Sequence, residues 1–201
     1  MPATKWLLPL LLVSVVGCGH DTNPTIPDPP ASTTAPLVPS GLSWRSWQGV
    51  ELPYTKQGPA HADGAVASGF DRSPAGAALA AIHASVRMAL APDGQWPQVG
   101  QHMLAPGLAR DAWATARAQV SITGPAGDDA PSILGYSLAE YSEAQARVQI
   151  YAGYRDQSLT CHNTTVIWHG NDWRLTLSNP GDTAITAVTT TPPDLVALTH
   201  P

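Results

Sequence analysis

Apolar and polar residues alternate along the second half of the chain, a pattern typical of strands with one buried face. The alternation is cleanest in residues 144–155, where one face would carry Ala146, Val148, Ile150, Ala152 and Tyr154. The other face would carry Arg147, Gln149, Tyr151 and Arg155. Because successive side chains of a strand point to opposite faces, these residues predict a half-buried strand.

Three further strands are predicted around this one. A strand near Ile133 to Tyr141 would precede it, and residues 159–169, rich in Thr, Val and Ile, would follow. His169-Gly170-Asn171-Asp172 is typical of a tight hairpin turn. Trp173, Leu175 and Leu177 then alternate with polar residues. Together these segments predict an antiparallel meander.

The first half of the domain has the spacing of helices. Ser73-Pro74 is a helix start, with a hydroxyl cap and proline in the first turn. An apolar stripe follows at spacings of three, four and four, formed by Leu79, Ile82, Val86 and Leu90. Shorter helices are predicted from Trp96 to Leu104 and from Leu108 to about Gln119. Helices followed by an antiparallel sheet predict an α+β domain over residues 70–180, with the helices packed on a curved sheet.

The segments on either side of this domain show no clear periodicity. Residues 41–69 are expected to be irregular, with Trp44, Trp47 and Tyr54 as anchors against the core. The sequence gives no specific role for the two tryptophans. Residues 181–201 are expected to form a C-terminal tail.

The first residues have the pattern of a targeting segment. Lys5 is followed by an apolar stretch from Trp6 to Val16, which is too short for the roughly 20 residues that span a bilayer. Residues 1–17 therefore predict a signal peptide. An ordinary secretory signal with a chance cysteine remains an alternative, as does a disulfide between Cys18 and Cys161.

The end of this segment resembles the lipobox of bacterial lipoproteins, in which an apolar residue and two small ones precede a cysteine. Here the residues are Val15, Val16, Gly17 and Cys18. The resemblance implies that Cys18 is acylated, for example with palmitate, and becomes the mature N-terminus. It also implies a lipid-anchored protein on the extracytoplasmic face of the cell membrane.

Residues 18–40 would connect this anchor to the domain. Six prolines and a run of Ser and Thr fall between residues 19 and 40. Such a segment buries too little apolar surface to offset the entropy of ordering it, and we expect a disordered or polyproline-like tether. A Pro-x-x-P ligand for another protein is the alternative.

Composition and motifs exclude several function classes. The formal net charge is −5 and no run of Lys or Arg occurs, so a nucleic-acid partner is not expected. Gly124-Pro125-Ala126-Gly127 lacks the Lys and Ser/Thr of a phosphate loop, and no Cys/His spacing suits zinc. Adjacent strand residues face opposite ways, so Cys161 and His162 would not form a catalytic pair. We therefore expect no cofactor, no metal and no catalytic residue.

The order of elements and the closing segment resemble the nuclear-transport-factor-2-like superfamily. The segment runs from Val166 to Leu175 and contains Trp168, Asp172 and Trp173. The likeness covers roughly residues 70–180 and implies a cone, in which a curved sheet surrounds an N-terminal helix. More narrowly, Gly69-Phe70 with Ser73-Pro74 is similar to exported actinobacterial proteins, some of them encoded beside conjugation or secretion genes.

This resemblance also names candidate pocket residues, since cones of the superfamily can hold acid–base groups. The candidates are Tyr136, His83, Tyr151 and Asp172. Structural roles are the stronger interpretation of each. Asp172 would stabilise the hairpin turn, His83 would lie at the edge of the apolar stripe, and the tyrosines would pack with their hydroxyls in water.

Two functional hypotheses follow. The favoured one is a non-catalytic interaction module, anchored in the membrane and binding other proteins of a conjugation- or secretion-type envelope assembly. The alternative is a pocket protein that binds a small molecule or acts as a lyase or isomerase. A deep cavity with an ionisable group of perturbed pKa would favour the alternative, and a cone filled by core side chains would exclude it.

Overall fold

Between residues 70 and 178, three helices and then four strands follow one another in the order that the helical and alternating patterns predict. The computed structural model describes residues 37–62, 64–178 and 184–199. Cys18, the predicted signal peptide and the tether up to residue 36 lie outside the described residues. In chain order the elements are β1 (Ser43–Trp47), β2 (Val50–Tyr54), α1 (Pro74–Leu90), α2 (Trp96–His102), α3 (Leu108–Arg117), β3 (Ser132–Tyr141), β4 (Gln145–Gly153), β5 (Leu159–His169), β6 (Asp172–Thr176), β7 (Ile185–Val188) and β8 (Val196–Ala197).

The main sheet is antiparallel throughout its described strands. Its strand order is β6-β5-β4-β3-β8, and β7 also pairs with β5. Register shifts after Ile133 and Leu138 interrupt the pairing of β3 with β4, and such bulges bend a strand. The α+β prediction with a curved antiparallel sheet is confirmed.

Helix α1 begins as the sequence predicts. Ser73 Oγ accepts a hydrogen bond from the Gly76 N–H at 3.1 Å, and Pro74 occupies the first turn. Leu79 and Ile82 are fully buried in the same apolar cluster as Val148 and Ile150 of β4. The helix therefore contributes its apolar stripe to the core on one face of the sheet.

The hairpin of β5 and β6 is also confirmed. Trp168 pairs with Trp173, and the turn residues Gly170 and Asn171 have φ values of 62° and 67°. Positive φ at both central residues is what a type I′ turn requires. The two indole rings meet edge to face at 5.4 Å between centroids.

This hairpin holds the segment that leads into α1. Asp172 Oδ2 accepts the Gly69 N–H at 2.7 Å, and Oδ1 accepts the Phe70 N–H at 3.2 Å. The neighbouring Trp173 Nε1–H donates to the Asp71 carbonyl at 2.9 Å. We call these five residues the helix-entry joint. Asp172 also accepts the Trp173 N–H at 2.9 Å, which is the local role predicted from the turn, but its long-range bonds were not predicted.

The expectation that residues 41–69 are irregular is wrong. Strands β1 and β2 form a hairpin, with Gln48 and Gly49 at φ values of 51° and 82°. The two tryptophans of β1 are three residues apart, so they do not produce the two-residue period of a strand. Trp47 Nε1–H donates to the Gly64 carbonyl at 3.1 Å, and Trp44 Nε1–H donates to the Thr199 carbonyl at 3.3 Å.

The C-terminal segment likewise contributes to the sheet, as β7 and β8. Val196 and Leu198 belong to the same core cluster as Val50 and Leu52 of β2. The folded domain therefore extends on both sides of residues 70–180, because short strands with few alternating positions complete its sheet and core.

Removing the carboxylate of the helix-entry joint should destabilise the domain. Asp172→Ala leaves two backbone N–H groups without their charged acceptor, and we expect the free energy of unfolding to fall by about 2 kcal/mol. Urea denaturation followed by tryptophan fluorescence measures this change.

Asp128→Ala is the matched control, because the Asp128 side chain is 90% exposed and its ion pair with Arg155 lies at the surface. Its effect should stay within about 0.5 kcal/mol. Equal effects of the two substitutions would contradict a stabilising role for Asp172.

Candidate ligand cavity

A cavity of about 670 Å³ lies between α1, α3 and the sheet. This volume is within the usual range for small-molecule sites, which are mostly apolar. The main apolar residues of its wall are Val86, Met88, Leu90, Ala112, Trp113, Ile133, Ile150, Leu175, Leu177 and Ile185. Ala112 and Ile185 are exposed, so the cavity is open to solvent.

The cavity exists because α3 does not pack against the sheet. Among the ten residues of α3 only Arg117 is buried, and its Nη2 donates to the Ala91 carbonyl at 2.6 Å. Nearer its middle, the helix is held by Trp113, whose ring lies so close to Gly100 that an added Cβ there would be 2.8 Å away. The small residues on the cavity side of α3 cannot fill the space that remains.

Burial of Leu79, Ile82, Val86 and Val148 does not close this cavity. Leu79, Ile82 and Val148 are fully buried in the core, and Val86 is buried at the cavity wall. The four side chains thus fill one part of the space beneath α1, and the cavity occupies another. Because core side chains do not fill this space, a pocket protein is not excluded.

His162 is the ionisable group of the wall that stands out. It pairs with Ile150 across β4 and β5, so both side chains face the cavity, and its Nε2 lies 3.1 Å from Thr160 Oγ1. Burial lowers the pKa of His162, which keeps the imidazole neutral near pH 7. The remaining polar lining is mainly hydroxyl groups, including those of Ser85, Thr164 and Thr176.

No Asp, Glu, Lys or Arg is among the described residues that line the cavity. A charged ligand group buried there would lose its hydration without gaining an opposite charge. His162 and Tyr154 are the titratable side chains among the described residues of the wall. The arrangement suits binding of an apolar molecule.

None of the four residues considered for a pocket in the sequence, Tyr136, His83, Tyr151 and Asp172, lines this cavity. His83 is fully buried in the core, where its Nε2–H donates to the Pro53 carbonyl at 2.8 Å, so its predicted position at the edge of the stripe is wrong. The rings of Tyr54 and Phe70 contact it at centroid distances of 5.2 and 5.6 Å. Burial lowers the pKa of His83 to about 3.

The two tyrosines are buried as well. The Tyr136 hydroxyl donates to the Leu37 carbonyl at 2.6 Å, not to water, and burial raises its pKa. Tyr151 pairs with Cys161 on the face of the sheet opposite the cavity, and burial raises its pKa too. Because Ile150 alternates with Tyr151, the sequence pattern itself places Tyr151 on the wrong face.

His162 was considered only as a partner of Cys161 in the sequence. The prediction that the two residues face opposite ways is confirmed, and Cys161 is a buried free thiol. The sequence feature that could have identified His162 is the alternation along β5, which puts it on the same face as Thr164 and Val166. That signal is weak because β5 carries polar residues on both faces.

In residues 37–62, 64–178 and 184–199, no helix is both long and apolar enough to cross a membrane. The same part of the chain contains no group of three or more His, Cys, Asp or Glu side chains placed to hold a metal ion.

Comparison with known proteins gives one family. A family model described as a domain of unknown function, DUF8175, matches residues 18–192. No curated protein and no solved structure matches the chain.

The buried His83 makes stability depend on pH. Its pKa is about 3 in the folded domain and about 6.5 in the unfolded chain. Below pH 6.5 the unfolded chain takes up a proton that the folded domain does not, so stability is lost as the pH falls. Between pH 7 and pH 5 this group should remove about 2 kcal/mol from the free energy of unfolding.

Urea denaturation at the two pH values measures the loss. His83→Gln keeps a donor for the Pro53 carbonyl and should remove this part of the pH dependence. The exposed His102 provides the control, because His102→Gln should leave the dependence unchanged. A His83→Gln variant with the full wild-type dependence would contradict the assignment.

Proposed function

We propose that this chain, which belongs to the DUF8175 family, is a lipid-anchored protein of the extracytoplasmic membrane face whose domain binds a small apolar molecule. The single observation that carries the binding role is the open, apolar cavity beneath α3. A monomeric core normally packs to high density with few voids larger than a water molecule. Apolar side chains that the described residues leave uncovered around a space of this size therefore favour a bound ligand.

The anchor is the part of the proposal that rests on the sequence. Val15, Val16 and Gly17 precede Cys18 in the pattern of a lipobox. The Pro-rich tether was predicted over residues 18–40, but Leu37 and Ser40 are hydrogen-bonded to the domain, so only its part before residue 37 would separate lipid from domain. Several acyl chains on one residue hold a protein firmly to a bilayer. The anchor would keep the cavity close to a membrane, where apolar molecules concentrate.

We also propose that the domain is a cone of the nuclear-transport-factor-2-like type. The contacts of α1 with β4, β5 and β6 support this, as does the closing hairpin with Trp168, Asp172 and Trp173. In such a cone a ligand would enter at the open end, beneath α3.

The second candidate function is the non-catalytic interaction module of an envelope assembly. It is favoured by exposed apolar side chains near α3, since Leu108 is 89% exposed and Val120 is 54% exposed. Isolated exposed apolar residues are common on proteins, which makes this observation weaker than the cavity. A dye titration separates the two candidates, because a docking module without a ligand site leaves an apolar dye in water.

The titration uses N-phenyl-1-naphthylamine, an uncharged dye that fluoresces in apolar surroundings. We expect saturable binding to the wild-type domain. Ala112→Trp places an indole in the cavity from an exposed position of α3 and should weaken dye binding at least about tenfold, because the ligand loses its space.

The control is Ala118→Trp, the same substitution at the exposed residue that follows α3 and does not line the cavity. This variant should bind the dye as the wild type does. Absence of saturable binding, or equal weakening by both substitutions, would count against the ligand cavity.

The membrane anchor is tested on the full chain expressed in a bacterial host with a lipoprotein pathway. Cys18→Ser removes the acylated sulfur, and the protein should move from the membrane fraction to the soluble fraction. Cys161→Ser is the matched control, because the chain has only two cysteines and Cys161 is a buried thiol. Membrane attachment of both variants, or a mature protein that keeps residues 1–17, would overturn the lipoprotein assignment.

A further inference from the structure

A polar cleft adjoins the apolar cavity where β4 connects to β5. The cleft measures about 390 Å³ and is lined by Asp129, Tyr154, Arg155, Asp156, Ser158 and Thr160. Tyr154 also lines the cavity. Thr160 of the cleft is hydrogen-bonded to His162 of the cavity at 3.1 Å. The two spaces therefore meet at Tyr154 and at the pair formed by Thr160 and His162.

The charges of the cleft have both signs. Asp129 and Asp156 supply carboxylates, and Arg155 supplies a guanidinium whose Nη1 lies 3.3 Å from Asp128. Asp156 Oδ1 accepts the Ser158 hydroxyl at 2.6 Å and the Ser158 N–H at 3.0 Å. An anionic ligand group would be repelled by the two carboxylates, and a cationic group would be repelled by Arg155.

Uncharged hydroxyl groups avoid both conflicts. A hydroxyl donates one hydrogen bond and accepts two, so it can donate to a carboxylate and accept from a guanidinium in the same cleft. The protein's own polar groups at the junction, the Thr160 hydroxyl and the neutral His162 ring, can pair with hydroxyls in the same way. The cleft thus suits a hydroxylated head, and the cavity suits an apolar tail.

We propose that the ligand is a single-chain amphiphile with an uncharged, hydroxylated head. The inference rests on the proposed ligand cavity and adds the chemical class of what it holds. The tail lies in the cavity between α1, α3 and the sheet. The head lies in the cleft beside Ser158 and Thr160, with His162 at the junction of the two.

The test measures displacement of N-phenyl-1-naphthylamine by four molecules with tails of equal length. Glycerol monolaurate and dodecyl maltoside have uncharged hydroxylated heads, laurate is anionic, and dodecyltrimethylammonium is cationic. Each is used below the concentration at which it forms micelles. We expect both uncharged molecules to displace the dye at roughly tenfold lower concentration than either charged one.

A variant of the cleft tests the position of the head. Thr160→Val removes one hydroxyl at nearly constant volume and should weaken both uncharged amphiphiles about fivefold, the loss of one net hydrogen bond. Dye binding should not change, because Thr160 does not line the apolar cavity. Thr165→Val is the control, since Thr165 lies on the opposite face of β5 and should leave all four amphiphiles unaffected.

The outcomes separate this inference from the proposed function. Equal displacement by a charged amphiphile, or an unchanged affinity in Thr160→Val, overturns the assignment of the head. A dye that binds in the cavity but is displaced by none of the four overturns the amphiphile and leaves the apolar site standing. If the dye itself does not bind, both the ligand cavity and the amphiphile assignment are overturned.

Discussion

The carboxylate of Asp172 is the interaction on which the arrangement of this domain depends. It accepts the N–H groups of Gly69 and Phe70, in the segment that leads into α1, from a turn about a hundred residues later in the chain. Two bonds from one side chain fix where α1 begins relative to the sheet. The position of α1 in turn decides which part of the concave face it covers and which part is left for the cavity. Gly76 is part of the same constraint, because a Cβ there would lie 2.1 Å from the Asp71 carbonyl oxygen.

Much of this fold could be predicted from the sequence, and the reasons are local. The alternation around Val148 and the spacing of Leu79 and Ile82 arise because one face of each element is buried. One-sided burial produces a regular period of apolar residues in the sequence. Ser73-Pro74 predicts the helix cap and Gly170-Asn171 predicts the hairpin turn, because these residue types favour the backbone conformations found there. The β1–β2 hairpin was missed because Trp44 and Trp47 use their indole N–H groups to bind distant carbonyls, a role that has no sequence period.

The candidate site is harder to predict than the fold, because a cavity forms where secondary-structure elements do not pack against one another. Ala109, Ala112 and Ala116 have the spacing of a helix face that packs on a core, yet the sheet does not approach them. What holds α3 away is Arg117, bonded to the Ala91 carbonyl and 3.6 Å from Asp93. No pattern of apolar residues encodes that separation. His83 and Tyr136, the pocket candidates that the superfamily resemblance suggests, are instead buried, and each is hydrogen-bonded to a backbone carbonyl.

The attachment of α3 has a mechanical consequence. Most helices of a small domain cannot move without exposing a large apolar area to water, and that area sets their stiffness. Only one residue of α3 is buried, so its displacement would break mainly the polar contacts of Arg117 and the contacts of Trp113 with Gly100 and with the Trp96 ring. Helix α3 is therefore the most easily displaced wall of the cavity. If the cavity binds the proposed ligand, displacement of α3 would admit molecules of different size, and recognition would depend mainly on the polar cleft beside Ser158 and Thr160.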